Sequence, residues 1–192
     1  MKEQIKHATR QLLQERELYS LTLKEISDKT DLSPEEIERV YPQLSDLYTA
    51  IFIDCRDDMR ADFTWIEEIH AACELEEVLF QIFKSLILLQ GTHPVSMGYF
   101  YYRELLPRLS RTEAVIIHNQ QRYYRNFLNK VYLRAVERQE ITKNIMKPLM
   151  DSYVAYTKGM LLFLKGFKGN MQDKGIYELW RHYSPIKRSI NP

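Results

Sequence analysis

Apolar side chains recur at intervals of three and four residues from one end of this chain to the other, and stretches that alternate apolar and polar residues are nearly absent. Such spacing places the apolar side chains on one face of an α-helix, whereas a half-buried strand needs a period of two. The pattern predicts an all-α fold of about nine helices. Because 45% of the 192 residues are hydrophobic, these helices can bury a core of globular size.

Two helix starts lie close together in the segment LTLKEISDKTDLSPEEIERVYP. In Thr22-x-x-Glu25, and again in Ser33-x-x-Glu36, the hydroxyl can accept a hydrogen bond from the third helical amide while the glutamate bonds back to the first residue of the motif. Pro34 then stands at the first helical position, where its missing N–H is not needed. The two motifs therefore predict two short helices in immediate succession.

These short helices are expected to run from Leu23 to Thr30 and from Pro34 to Val40, after a longer first helix from Lys2 to Glu17. A tight turn separates them, which makes a helix-turn-helix pattern. Six apolar side chains are spaced to form a small core for this unit: Leu12, Leu13, Ile26, Leu32, Ile37 and Val40.

The rest of the chain is expected to form longer and more apolar helices, with an acidic connection over residues 62–77. The expected helices are 45–61, 78–90, 95–106, 111–138, 143–165 and 173–183. The second of these is apolar on nearly every side, which marks a helix at the centre of a bundle. The sequence thus predicts a helix-turn-helix head, residues 1–44, followed by a helical bundle, residues 45–192.

Charge is unevenly distributed along the chain. Through Glu77 there are nine lysines and arginines against nineteen acidic residues, a balance of −10, so a net charge of +1 leaves +11 for the remainder. DNA-binding modules usually carry a basic surface, and the acidic head argues against tight DNA binding. Lys2, Lys6 and Arg10 do stack along one face of the first helix; this stripe is either a solvated face or one that contacts phosphates.

Motifs that would identify an enzyme or a metal centre are absent. There is no G-x-S-x-G, no H-E-x-x-H and no glycine-rich phosphate loop, so we expect neither catalysis nor a cofactor. His70 and Cys73 lie one helical turn apart, but a closed zinc site needs four ligands, and we expect no metal. The longest apolar run is too short to cross a bilayer, and the first residues lack the apolar core of a signal peptide. A cytoplasmic protein without a membrane partner is therefore expected.

Four segments between Ile5 and Phe52, namely IKHATRQLL, LTLKEIS, DLS and VYPQLSDLYTAI, resemble the DNA-binding domain of TetR-type transcriptional regulators. The resemblance implies a homodimer that places two recognition helices in successive major grooves of a palindromic double-stranded operator. It also implies a small organic molecule bound in the C-terminal bundle. The residues expected at the DNA interface are Lys2, Lys6, Thr22, Lys24, Ser33, Pro34, Glu35, Arg39 and Tyr41.

The recognition helix departs from the family's pattern. The family has a small, a hydroxyl and an aromatic residue where this chain has Glu35, Glu36 and Glu38, and Leu44 replaces a lysine that meets a phosphate. Two explanations stay open for the glutamates. They complement the positive end of the helix dipole, or they accept hydrogen bonds from the exocyclic amine of cytosine.

Polar and aromatic residues of the bundle are the candidates for a ligand pocket: Tyr102, His118, Arg122, Tyr123, Tyr153, Tyr156 and Met160. Filling of the core is the competing explanation for each of them. An Arg122 that points inward would require an anionic partner, which favours a carboxylate or phenolate ligand. The family's dimer geometry implies an interface that contains Leu161, Leu179, Trp180 and Tyr183.

The resulting hypothesis is a ligand-responsive transcriptional regulator, a repressor, that binds DNA as a homodimer. The alternative is a helical small-molecule-binding or interaction protein whose DNA-binding head has degenerated. The acidic head favours the alternative. The paired capping boxes, Arg39, Tyr41 and the basic stripe favour the first hypothesis.

Overall fold

The computed structural model describes residues 1–101, 103–164 and 173–181, without the side chains of Arg103 and Glu104. These residues form nine α-helices: α1 (Lys2–Leu12), α2 (Leu23–Thr30), α3 (Pro34–Val40), α4 (Leu44–His70), α5 (Leu75–Thr92), α6 (Pro94–Tyr101), α7 (Arg111–Glu137), α8 (Lys143–Leu164) and α9 (Asp173–Arg181). A 3-10 helix, Arg103–Arg108, follows α6. The described ranges contain no β-strand, so the all-α prediction is confirmed. Within them, too, no helix is both long and apolar enough to pass through a bilayer.

Both predicted capping boxes are present. The amide of Glu25 donates to Thr22 Oγ1 over 3.3 Å, and the amide of Thr22 donates to Glu25 Oε2 over 2.8 Å. The corresponding bonds between Ser33 and Glu36 measure 3.2 and 2.8 Å. Asp31, in the left-handed conformation with φ of 57°, ends the first of the two helices. Local capping thus sets the bounds of α2 and α3, and both agree with the sequence prediction.

Several helices differ in length from their predicted bounds. α6 ends at Tyr101 rather than at residue 106, and α5 begins at Leu75 rather than at residue 78. α1 ends at Leu12 rather than Glu17, where hydrogen bonds from Gln14 and Glu15 to carbonyls three residues earlier tighten the chain into turns. α4 continues to His70, through half of the segment predicted as a connection. The extension is helical because Phe63 and Ile66 are buried one turn apart, and this apolar pair outweighs the acidic residues around it.

The helices form two compact units that are each discontinuous in sequence. The first comprises Met1–Asp57 and His93–His118, and the second comprises Asp58–Thr92 and the described residues from Asn119 onward. Two of the three boundaries therefore fall inside helices, α4 and α7, and the third falls between α5 and α6. These units describe packing, and a functional division at residue 44 stays a prediction.

The core of the first unit is the one expected from the helix-turn-helix pattern. Leu13, Ile26 and Ile37 are buried there with Ile5 and Tyr48, and the remaining predicted residues, Leu12, Leu32 and Val40, pack against them. The second unit is built around large aromatic side chains, which include Phe63, Phe83, Tyr132, Tyr153 and Trp180.

Candidate DNA interface and ligand-binding residues

The helix-turn-helix presents most of its predicted DNA-facing residues to solvent. Thr22, Lys24, Ser33, Glu35 and Arg39 are exposed, as is Lys2 on α1, whereas Pro34 is half-buried. Tyr41 differs from the expectation, because only 8% of its surface is exposed and its ring belongs to the core. The burial raises the pKa of its hydroxyl. A role in DNA binding stays a prediction for all of these residues.

The three glutamates of α3 are not equivalent. Glu36 turns its carboxylate back to the amide of Ser33, so its place in the capping box explains it. Glu35 and Glu38 remain exposed. The amide of Glu35 itself and the hydroxyl of Ser33 lower the pKa of the Glu35 carboxyl, which therefore presents a negative charge on the surface of α3 at neutral pH. Both explanations of the acidic helix stay open for these two residues.

Two of the three cations in the basic stripe of α1 are bound in an ion cluster. Lys6 Nζ lies 2.7 Å from Asp54 Oδ2 and 2.6 Å from Glu3 Oε1, and Arg10 also bonds to Asp54. Lys6 is only 8% exposed. Burial opposes its charge, but the hydrogen bonds to Asp54 and Glu3 outweigh that effect and raise its pKa. The expectation that Lys6 and Arg10 form an exposed face with Lys2 is therefore not met, because Asp54 of α4 binds both cations.

A second cluster in the first unit is not predicted by the sequence. Tyr19 adopts a left-handed backbone with φ of 70° and donates its hydroxyl to the fully buried carboxylate of Glu113. The amide of Ser110 donates to the same carboxylate oxygen and to the Tyr19 hydroxyl, both over 2.9 Å. Burial and the Glu113 carboxylate raise the pKa of Tyr19 to about 12. Ser110-x-x-Glu113 has the spacing of a capping box, but no sequence signal points to Tyr19.

The predicted ligand-binding residues occupy different environments. His118 belongs to the first unit and is exposed. Arg122 belongs to the second unit, where it is exposed and donates to Asn119 Oδ1 over 3.0 Å. An inward-pointing Arg122 was the reason to expect an anionic ligand, and the exposed side chain removes that reason. Tyr102 lies outside the described residues.

The other four candidates lie in the second unit, where three have packing or hydrogen-bonding partners within the chain. Tyr123 stacks on Phe63 at 6.2 Å between ring centroids. Tyr153 is fully buried and donates to the carbonyl of Leu79 over 3.0 Å, and Tyr156 donates to the carbonyl of Leu179 over 2.9 Å. The fourth, Met160, is half-buried.

None of these candidates lines either of two cavities described in the second unit. One cavity, of about 20 Å³, lies beside Phe127 and Arg134, and the other, of about 210 Å³, lies beside Phe80 and Tyr177. The expectation that the seven residues converge on one internal cavity therefore receives no support from the geometry. Their role in ligand binding stays a prediction.

The interior of the second unit contains polar groups that the sequence analysis did not select. These groups belong to the buried residues Gln120, Tyr124 and Tyr132. Tyr153, which was predicted, is buried as well. Burial, followed by the neighbouring Tyr124 and Tyr132, raises the pKa of Tyr153 well above its ordinary value. The helical spacing of 120, 124 and 131–132 on α7 could have indicated one buried face. More than one apolar row runs along that helix, however, so the spacing alone does not select this face.

The residues predicted at the dimer interface are mostly buried within the single chain. Leu161 and Trp180 are 3% exposed, and Leu179 is half-buried. Tyr183 lies outside the described residues. Neighbouring positions on α8 are instead exposed: Leu162 by 53% and Phe163 by 74%. The exposed apolar face of α8 thus contains Leu162 and Phe163 rather than Leu161.

The thiol and the imidazole considered for zinc lie close together, with Cys73 Sγ 3.7 Å from His70 Nδ1. Over the described ranges, no group of three histidine, cysteine or acidic side chains is arranged to hold a metal ion.

No protein-family model and no curated protein matches the sequence. Solved structures do match the fold. The TetR-family transcriptional regulator PfmR of Thermus thermophilus has 12% identity and a TM-score of 0.73 over 96% of this chain and 97% of its own. A TetR-family regulatory protein of Rhodococcus RHA1 has 13% identity and a TM-score of 0.71, over 98% and 94% of the two chains.

A further match is AibR, solved with isovaleryl coenzyme A and operator DNA, at 16% identity and a TM-score of 0.67 over 92% of this chain and 94% of that one. Identities this low establish the fold and nothing beyond it. The chain has the fold of the TetR-family transcriptional regulators.

Proposed function

We propose that this chain is a ligand-responsive transcriptional repressor that binds a palindromic operator as a homodimer and is not an enzyme. The observation that carries the proposal is the pair of fully capped helices α2 and α3, which expose Lys24, Ser33 and Arg39 within a fold shared with TetR-family regulators. A helix-turn-helix of this kind inserts the start of its second helix into the major groove.

The charge of the head predicts an unusual mode of DNA binding. Lys6 and Arg10 are bound to Asp54, so phosphate contacts depend on exposed cations such as Lys2, Lys24 and Arg39. Each phosphate neutralised contributes roughly −0.9 to the slope of log affinity against log salt. A head with few such cations is expected to bind weakly at physiological salt and to have a shallow slope.

Selection from a random pool of DNA duplexes at low salt tests this proposal. The wild-type chain is expected to enrich a palindromic sequence. Glu35→Gln is expected to change the enriched sequence, because the side chain would read bases, whereas Lys24→Ala is expected to weaken binding to all sequences. Lys143→Ala, a lysine of α8, is the matched control and should change neither. If no sequence is enriched, the assignment to DNA binding fails.

The homodimer is proposed to form along the exposed face of α8. Four residues of this face are exposed, and Gly159 lies three or four positions from each of the others: Ala155, Gly159, Leu162 and Phe163. A Cβ atom added to Gly159 would meet no atom within 4 Å, so packing within the chain does not require this glycine. A glycine inside a helix lowers the stability of the helix by roughly 1 kcal/mol relative to alanine. Close approach of a second copy of the chain would explain why a glycine is present at position 159.

Sedimentation at micromolar concentration tests the dimer. The wild-type chain is expected to sediment as a dimer and Phe163→Glu as a monomer. Leu133→Glu is the control, because Leu133 is an exposed leucine of α7, at 41%. A wild-type chain that is only monomeric would exclude the two-headed model of operator binding.

The response to a small molecule is supported by the polar interior of the second unit. Buried hydroxyls and amides, such as those of Tyr132, Tyr153 and Gln120, are the groups that orient a ligand in an otherwise apolar site. A ligand can release DNA only if it binds one dimer geometry more tightly than the other. A compound that stabilises the chain against thermal unfolding is therefore expected to dissociate the selected DNA, and stabilising compounds that leave DNA binding unchanged would contradict a regulatory role.

One observation favours the second candidate function, a helical ligand-binding or interaction protein with a degenerate head. Glu35 and Glu38 remain exposed on α3, where they would repel DNA phosphates. Under this alternative the chain still binds a small molecule or a protein, but the duplex selection yields no enriched sequence at any salt concentration.

A further inference from the structure

The larger cavity of the second unit lies between the start of α5 and α9 and has a volume of about 210 Å³. An enclosed, engineered apolar cavity of about 150 Å³ is large enough to hold benzene. The space between α5 and α9 is partly open to solvent, and its volume is sufficient for a small organic molecule. Carboxylates form one part of the wall, from Glu74, Glu76 and Glu77, and aromatic rings form another. None of the residues predicted to bind DNA lines this cavity.

Three aromatic rings meet in this wall at steep angles. The rings of Phe80 and Tyr177 have centroids 5.6 Å apart and are nearly perpendicular, at 89°. The rings of Phe80 and Trp180 are 6.0 Å apart and inclined at 50°. Trp180 is 3% exposed and also packs on Phe83 and Tyr153, so the position of its ring is set by the core. Tyr177, by contrast, is 50% exposed. Rings at such angles form a concave corner rather than a stack.

The carboxylates alone have an ordinary explanation. Glu76 and Glu77 lie in the first turn of α5, where negative charge complements the helix dipole. The dipole does not account for aromatic side chains on a different helix, α9, that face the same space. Glu77 accepts a hydrogen bond from Gln81 Nε2 over 2.7 Å, which orients its carboxylate.

We propose that this cavity binds a small organic cation that carries an alkylated ammonium group. Aromatic faces attract cations, and rings arranged around a cation are the recurring means of recognising quaternary ammonium groups. The carboxylates of Glu74 and Glu77 supply the opposite charge, and an anionic ligand would be repelled by them. Arg181 also lines the cavity and, as a like charge, reduces affinity for the cation. The site is independent of DNA binding, so its failure would leave the proposed function intact.

Titration with choline tests the proposal directly. The chain has two tryptophans, and Trp65→Phe leaves Trp180 as the single tryptophan, in the wall of the cavity. Excitation at a wavelength that tyrosine does not absorb then reports on Trp180 alone. Choline is expected to change the Trp180 fluorescence in a saturable manner. Its neutral isostere, 3,3-dimethylbutan-1-ol, has the same shape without the charge and is expected to produce no saturable change. Equal responses to the two compounds, or none to choline, would overturn the proposal.

Variants of the wall give a second and signed test. Glu77→Gln and Tyr177→Leu should each weaken choline binding by about two- to fivefold, the range for a partly exposed charge or cation–π contact. Arg181→Gln should strengthen it, because a like charge is removed. Glu178→Gln, an exposed glutamate of α9 outside the cavity wall, is the control. Each variant is compared only if its circular dichroism shows the same helix content as the wild type. Unchanged choline affinity in both Glu77→Gln and Tyr177→Leu would refute the site.

Discussion

Removal of the Tyr19 hydroxyl should destabilise the protein measurably. In Tyr19→Phe, the ring can keep its edge-to-face contact with Tyr48, at 5.2 Å, but the hydrogen bond to the buried carboxylate of Glu113 is lost. A hydrogen bond to a charged group contributes about 1.5–3 kcal/mol. Because Tyr19 is 42% exposed, solvent screening places the expected loss near the lower end, at about 1.5 kcal/mol.

The pKa of Tyr19 gives a second route to the same magnitude. A rise from 10.0 to about 12 corresponds to about 2.7 kcal/mol for a group fully shielded from solvent, and the partial exposure of the side chain reduces this to about 1–2 kcal/mol. The folded state favours the neutral phenol, so this contribution is complete below pH 10. It is lost as the pH rises from 10 to 12, where the unfolded chain ionises first.

Urea unfolding followed by circular dichroism, at pH 8 and near pH 11.5, measures both effects. At pH 8 the variant should lose about 1.5 kcal/mol relative to wild type, and near pH 11.5 the difference should shrink. Tyr177→Phe, which alters an exposed tyrosine, controls for the ionisation of other tyrosines and should stay within about 0.5 kcal/mol. A Tyr19→Phe protein as stable as wild type at pH 8 would show that the bond from Tyr19 to Glu113 does not stabilise the fold. A deficit that does not change with pH would contradict the raised pKa of Tyr19.

Three further predictions concern other contacts. Asp54→Asn removes the carboxylate that pairs with buried Lys6 and half-buried Arg10, and it should cost about 3 kcal/mol in urea unfolding. A loss below about 1 kcal/mol would mean that solvent replaces the carboxylate. Ser33→Ala removes the cap of α3 and should cost about 1 kcal/mol in thermal unfolding, whereas an unchanged midpoint would show that the cap is dispensable. A hydrogen bond from Lys130, and a weaker effect of one from Arg134, lower the pKa of Glu67 below 4.5. The ionised Glu67 therefore stabilises the folded state above pH 4.5, and this contribution is lost as the pH falls further. Glu67→Gln should remove that acid-dependent loss, and an unaltered acid profile would contradict it.

Features fixed by neighbouring residues were predictable from the sequence, and features fixed by distant ones were not. The bounds of α2 and α3 follow from capping boxes that span four residues each, and the structure agrees with them. The Asp54 cluster joins residues 44 and 48 positions apart, and no local pattern reveals which acidic residue will meet α1.

The orientation of long helices was the main source of error at the candidate ligand site. On α7 several apolar rows run side by side, so the sequence does not determine which row faces the interior. Arg122 was expected to point inward and is exposed, while Gln120 and Tyr132 are buried. On α8 the exposed face contains Phe163 rather than Leu161. A shift of two residues on a helix turns a side chain by about 200°, which exchanges inside for outside.

The discontinuity of the first unit has a consequence for engineering and for evolution. Its N-terminal segment, Met1–Asp57, packs with His93–His118, and the bond between Tyr19 and Glu113 joins the two segments. A chimera made by one crossover within α4 would transplant the helix-turn-helix and leave its packing partner behind. Under the proposed function, a change of DNA specificity by exchange of segments would therefore require that both segments be replaced together. Point substitutions confined to the surface of α3 would be the alternative.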